Sequence, residues 1–166
     1  MLLFISDERG YMCENLFLSI FNFSNSMQHG KFTPELIAPC GMNCGICIAF
    51  FGYTLNGKKR KHTCITCRLR KRPCAFIKKK CDKLKKGEIE YCFECMDFPC
   101  KNLTTLDRRY RTKYRMSMIE NLQELKEKGM EEFLKNQEGK YKCPQCGDII
   151  SVHDRKCYAC GHIETD

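Results

Sequence analysis

No uninterrupted apolar run in this chain approaches the about 20 residues that a membrane-spanning helix needs. The run Leu16-Phe17-Leu18-Ser19-Ile20-Phe21 is far too short. A secretion signal is also missing. Such a signal puts positive charge first and a longer apolar run after it, whereas Met1 to Gly10 is apolar for five residues and then carries Asp7, Glu8 and Arg9. The chain has no Ser/His/Asp set, no phosphate-binding loop and no paired acids in a recognisable frame, so the usual signatures of an enzyme are wanting. Acids are nearly absent from one stretch. Between Gly57 and Lys86, 14 Lys or Arg residues stand against one acid, Asp82.

What the chain does have is cysteine: 15 in 166 residues, most at Cys-x-x-Cys or similarly short spacing. Two thiols three residues apart can both reach one ion, with sulfur about 2.3 Å from a zinc. Disulfides are the competing reading. The odd number, the knuckle-like spacings and the missing signal all count against them. A reducing cytoplasm, where thiols persist and capture metals, is the expected location, with no membrane association. At this length one or two small domains are expected, each with a modest core that gains from metal staples.

The formal charge of +9 is concentrated in the basic stretch, and the remainder of the chain is mildly acidic. Lys58, Lys59, Arg60, Lys61, Arg68, Arg70, Lys71 and Arg72 are the candidate contacts for phosphates of nucleic acid or for an acidic protein partner. The alternative is a solubilising surface whose positive field lowers thiol pKa values. The stretch lacks the interleaved aromatics of a base-stacking platform.

Residues 1–33 read as an N-terminal extension, Asn- and Ser-rich after Phe21, with Met27 as a candidate native start. Residues 34–102 form a cysteine-rich module. Within it, Cys44, Cys47, Ile48, Phe51 and Leu55 predict a short helix over 43–55 that brings Cys40, Cys44 and Cys47 to one side, and Asn56-Gly57 stops it. Glu90 to Met96 predicts a helical turn holding Cys92 and Cys95, ended by Pro99. Residues 103–138 are cysteine-free. Leu103, Leu106, Tyr110, Tyr114, Met118, Leu122 and Leu125 predict one long amphipathic helix packed on the module, capped by Thr104 or Thr105 and stopped near Gly129. Met130, Phe133 and Leu134 then mark a short second helix closed by Gly139.

Residues 139–166 carry Cys143-Pro-Gln-Cys146-Gly147 and Cys157-Tyr-Ala-Cys160-Gly161, with ten residues between the knuckles. The spacing predicts a zinc ribbon: one Zn²⁺ on Cys143, Cys146, Cys157 and Cys160, and a β-hairpin through Ile149-Ile150-Ser151-Val152. Glycine after each second cysteine permits positive φ and lets backbone N–H groups point at sulfur. His153 reads as a solvated turn residue, because four thiolates already fill a tetrahedral ion.

Ten cysteines remain between 40 and 100: Cys40, Cys44, Cys47, Cys64, Cys67, Cys74, Cys81, Cys92, Cys95 and Cys100. They exceed by two the eight that two four-thiolate sites need, and spacing does not assign the pairing. Zinc and iron–sulfur clusters both suit all-thiolate sites. The Cys40-x-x-x-Cys44-x-x-Cys47 spacing is the one radical S-adenosylmethionine enzymes use. Ile46 stands where they place an aromatic, and the repeating strands and helices of their barrel are missing, so that reading is set aside. His62, Glu88, Glu90, Glu94 and Asp97 read as solvated residues.

The strings Ala38-Pro-Cys-Gly-Met-Asn-Cys-Gly-Ile-Cys47, Tyr91-Cys-Phe-Glu-Cys-Met-Asp-Phe-Pro-Cys100 and Tyr114-Arg-Met-Ser-Met-Ile-Glu-Asn121 resemble an uncharacterised cysteine-rich family of anaerobic bacteria and methanogenic archaea. The resemblance spans about 34–161, including Cys64-x-x-Cys67-Arg68 and the final ribbon. It implies cytoplasmic life in an anaerobe and keeps iron–sulfur chemistry in view. The family carries no established activity.

The fold class expected is therefore a small metal-stabilised α+β protein: an irregular, mainly helical cysteine module, a long amphipathic helix and a C-terminal zinc ribbon. The expected function is non-enzymatic metal (zinc) binding with a basic surface for a partner. The alternative is an iron–sulfur electron-transfer or metal-handling accessory protein.

Overall fold

A computed structural model describes residues 32–69 and 76–165. Most of the N-terminal extension, together with Arg70, Lys71, Arg72 and Cys74, lies outside them. Four α-helices carry the described part: α1 (Phe76–Lys80), α2 (Asp82–Lys86), α3 (Lys101–Tyr114) and α4 (Met118–Lys140). Single 3₁₀ turns at Pro34–Leu36, Cys44–Ile46 and Cys92–Glu94 supply the rest of the helical structure. Among the described residues, β pairing is limited to isolated antiparallel bridges.

The long helix expected over 103–128 is broken in two. α3 ends where Arg115 adopts a left-handed φ of 51°, and α4 starts at an N-cap, Ser117, whose Oγ accepts from the Glu120 N–H at 3.0 Å. A straight helix over those 26 residues would run roughly 39 Å, more than a module this small can cover along one apolar stripe. Folding back lets both halves of the stripe share one core, where Leu103, Met116, Met118 and Leu122 are all buried. The start differs too. Cys100 is the N-cap, and Thr104 and Thr105 instead donate back to the carbonyls of Cys100 and Lys101. Gly129 breaks α4 internally at φ 80°, ψ 172°, and the helix then runs through Gly139 to Lys140.

Asp107 explains how the turn between α3 and α4 is held. Its carboxylate is buried and accepts from Ser117 Oγ (2.8 Å), the Ile119 N–H (3.0 Å) and Arg111 Nε (2.7 Å). Burial alone would raise its pKa, but these three donors outweigh it and hold the carboxyl below the ordinary carboxylate range. A depressed folded-state pKa means stabilisation that is fully present above the unfolded value of about 4 and is lost as pH falls below it. Asp107→Ala is expected to cost about 3 kcal/mol in urea denaturation at pH 7, for a charged hydrogen-bond hub left unmade. The gap to wild type should narrow as the pH falls through about 4. An unchanged gap would mean the carboxylate charge is irrelevant.

The expected helix over 43–55 shortens to one 3₁₀ turn, Cys44–Ile46, followed by irregular turns. Asn43 caps it through Oδ1 accepting from the Gly45 N–H at 2.9 Å. The chain then forms a hairpin with a Tyr53–Lys59 bridge. A continuous helix would carry the chain past the turns that return Cys64 to Ala49, where the Cys64 N–H donates to the Ala49 carbonyl at 2.9 Å. The boundary of the extension also moves. Phe32 is buried in the core, and its N–H donates to Glu138 Oε1 at 2.8 Å.

One core cluster joins residues from Phe32 to Val152, including Tyr141, Ile149 and Val152 of the C-terminal unit. The Val152 N–H also donates to the Ile46 carbonyl at 2.9 Å, so the C-terminal unit is seated on the cysteine module. The hairpin expected there reduces to the bridges Lys142–Ile149, Ile150–Cys157 and Lys156–Ile163. Each knuckle turns the chain so tightly that no pairing outlasts one bridge. The described molecule is small, cysteine-rich and mostly helical.

Candidate metal centre

The C-terminal cysteines converge from two sequence-distant turns. Gly147 (φ 79°) and Gly161 (φ 81°) follow the second cysteine of each knuckle and donate back to the carbonyls of Cys143 and Cys157, both at 2.9 Å. These left-handed positions suit glycine, which has no Cβ to clash. The four Sγ atoms all lie within 4.8 Å of one another. The Cys143–Cys160 and Cys146–Cys157 separations are 3.7 Å and 3.5 Å. A tetrahedral ion with about 2.3 Å bonds to sulfur requires sulfurs about 3.8 Å apart, close to this spacing. These four side chains could therefore hold one metal ion.

Electrostatics favours a cation there. Burial raises the Cys143 thiol, but the N–H groups of Cys146 and Gln145 and the neighbouring thiols of Cys160 and Cys146 outweigh it and bring it to about 7. Cys146 receives the Asp148 N–H, which lowers it, yet burial and the surrounding thiols push it up to about 12. Burial raises Cys157 against the N–H groups of Cys160 and Ala159. One thiolate forms easily and hinders the next. A divalent ion removes that conflict by neutralising the charge.

The other described cysteines divide between two clefts. Cys40, Cys44, Cys47, Cys64 and Cys67 line one of about 260 Å³. Cys81, Cys92, Cys95 and Cys100 line a second of about 270 Å³. None of the described cysteines is in a disulfide. Among the described residues, the C-terminal set is the one in which three or more ligand atoms come within 4.8 Å of one another.

The basic candidates separate in role. Lys58, Lys59, Arg60 and Lys61 are exposed at the end of the Tyr53–Lys59 hairpin. Tyr53 and Phe51 stack on Tyr158 at 4.4 Å and 5.2 Å, anchoring that hairpin to the C-terminal unit. Arg68 is committed internally. Its Nε donates to the Ile37 carbonyl at 2.7 Å, Nη1 pairs with Glu90 at 3.0 Å, and the guanidinium lies 4.7 Å over the Tyr91 ring. These contacts tie Arg68 into the module as a structural strut. Among the acids, Glu94 closes a capping box with Tyr91, and Asp97 faces Lys83 at 3.5 Å.

His153, expected in solvent, is half-buried instead. Its Nδ1 accepts from the Ile48 N–H at 3.4 Å, Nε2 faces Tyr110 Oη at 3.3 Å, and Tyr114 packs edge-on at 4.7 Å. Burial lowers its pKa to about 4, keeping the ring neutral with the proton on Nε2. Nothing local in the sequence marks this role, since Ile48 lies 105 positions away. No protein-family model matches the chain, and no curated protein or solved structure matches it either.

Proposed function

We propose that the protein is a zinc-binding, non-enzymatic interaction module whose C-terminal unit is a structural zinc ribbon. The carrying observation is the four-thiol cage of Cys143, Cys146, Cys157 and Cys160, with sulfur separations of 3.5 Å and 3.7 Å. Four thiolates and no open position suit a structural rather than a catalytic ion. The match of knuckle and spacing to a closed tetrahedral site supports zinc. Resemblance to the cysteine-rich family of anaerobes remains part of this proposal, on the motifs already given.

The role follows from the exposed hairpin. Lys58, Lys59, Arg60 and Lys61 project where the fold leaves them unburied, and the zinc-bearing unit braces their hairpin through Tyr158. Clustered cations of this kind bind nucleic-acid phosphates by displacing counterions. RNA and DNA oligonucleotides are expected to bind with an affinity that falls steeply with salt. Changing all four residues to Ala should weaken binding at least about tenfold and flatten the salt slope by roughly one unit for each phosphate-binding cation removed. Salt-insensitive or absent binding of both oligonucleotides would remove the nucleic-acid role while leaving the zinc site standing.

A further inference from the structure

The two cysteine-lined clefts differ from the C-terminal cage in kind. In the cage, sulfurs sit at the spacing of a single tetrahedral ion. In neither cleft do three or more ligand atoms lie within 4.8 Å of one another, although nine described cysteines line the two. A polynuclear cluster does not need the close spacing of a single ion. The iron and sulfide core of a four-iron cluster keeps its terminal cysteine sulfurs roughly 6 Å from each other.

We infer that each cleft is a site for an iron–sulfur cluster, and that the nine described cysteines of the module divide accordingly. Cys81, Cys92, Cys95 and Cys100 serve one cluster. Cys44, Cys47, Cys64 and Cys67 serve the other, whose cleft Cys40 also lines. This goes beyond the zinc ribbon and does not depend on it.

Room, grouping and surroundings carry the assignment. A water takes about 30 Å³ of liquid, so clefts of about 270 Å³ and 260 Å³ accommodate a core of several heavy atoms rather than one ion. Cys92 lies within electrostatic reach of Cys81, Cys95 and Cys100, its companions in one cleft, and also of Cys40, which lines the other. Apolar side chains wall the first cleft, among them Ile77, Phe98 and Leu103. Lys83 Nζ donates to Cys95 Sγ at 3.2 Å, the kind of hydrogen bond that offsets thiolate charge and tunes a cluster. Met42, Leu106, Tyr110 and Met118 wall the second.

The sites are neighbours. Leu103 lines one cleft and Leu106 the other, three residues apart on α3, an axial step of about 4.5 Å. The Cys92 N–H also donates to the Pro39 carbonyl at 2.9 Å, beside Cys40. Reduced clusters in both clefts are expected to be near enough to couple magnetically.

The test is anaerobic reconstitution of the full chain with ferric iron, sulfide and an excess thiol reductant, with iron, acid-labile sulfide and zinc counted per chain. About eight irons, eight sulfides and one zinc are expected, as two four-iron clusters require. Iron X-ray absorption should show iron–iron scattering near about 2.7 Å, and the reduced protein should give a spin-coupled resonance spectrum. Cys92→Ser with Cys95→Ser should remove half the iron, and Cys44→Ser with Cys47→Ser the other half, both retaining the zinc. Iron bound without sulfide, zinc rising to about three per chain, or no iron uptake would each overturn the inference. Variants that lose iron together rather than by halves would overturn the division. If a variant fails to fold, the wild-type stoichiometry and the iron–iron vector decide the cluster assignment by themselves.

Discussion

Cys157→Ser is expected to abolish the metal binding proposed for the C-terminal four-cysteine cage and to cost the protein more than any other single change to a thiol. Cys157 is fully buried, faces Cys146 across the cage and carries the bridge to Ile150. Zinc binding in small four-ligand units is worth about 10 kcal/mol or more of folding free energy, so losing one ligand should remove a large part of it. The damage should spread. Tyr141, Ile149 and Val152 belong to the main core, and Val152 is hydrogen-bonded to Ile46. Hydrogen exchange should therefore rise across 141–165 and also around 44–48. Chelation of the wild-type protein at neutral pH should reproduce the pattern. An unchanged cooperative melt under strong chelation would show that the C-terminal unit folds without metal.

Gly41→Ala is the second large effect. Gly41 has φ +82°, and an added Cβ would sit 2.5 Å from the Met118 carbonyl oxygen and 2.8 Å from Leu122 Cγ. The neighbouring Asn121 Nδ2 donates to the Gly41 carbonyl at 2.8 Å, so this loop is clamped on the first turns of α4. The left-handed conformation costs a non-glycine residue about 1–2 kcal/mol, and the clash with packed backbone adds about 1–3 kcal/mol more. Gly57 provides the control. It has φ +74° with nothing within 4 Å of the added carbon, so Gly57→Ala should show the conformational cost alone. Denaturation midpoints that fall equally in the two variants would mean the loop does not need its close seat on α4.

The knuckles were legible because ligand pairing in each is local. Cys143-x-x-Cys146-Gly147 specifies its own turn, and the structure adds the approach of a second, equivalent turn. The amphipathic stripe from Leu103 to Leu125 was legible as a buried face, but its division was not. Spacing at three and four residues reads the same whether the helix runs straight or folds back at Arg115. The available signal was Ser117-Met-Ile-Glu120, an N-cap pattern inside the stripe. For Arg68, charge is the only local signal, and charge is blind to Ile37, Glu90 and Tyr91 waiting around it.

By itself, the sequence pointed to closely spaced thiols suited to metal, to four of them as a C-terminal set, and to Lys58 through Lys61 as candidate contacts for an anionic partner. These properties are set by residues a few positions apart, where backbone geometry allows few outcomes. Only the tertiary structure decided how the other described cysteines group into two clefts, where the long helix breaks, and that His153 is enclosed by Ile48, Tyr110 and Tyr114. Those outcomes depend on residues far apart in the chain. Burying a shared apolar face and satisfying polar groups such as Asp107 there outweighs the local helix preference that a one-dimensional pattern records.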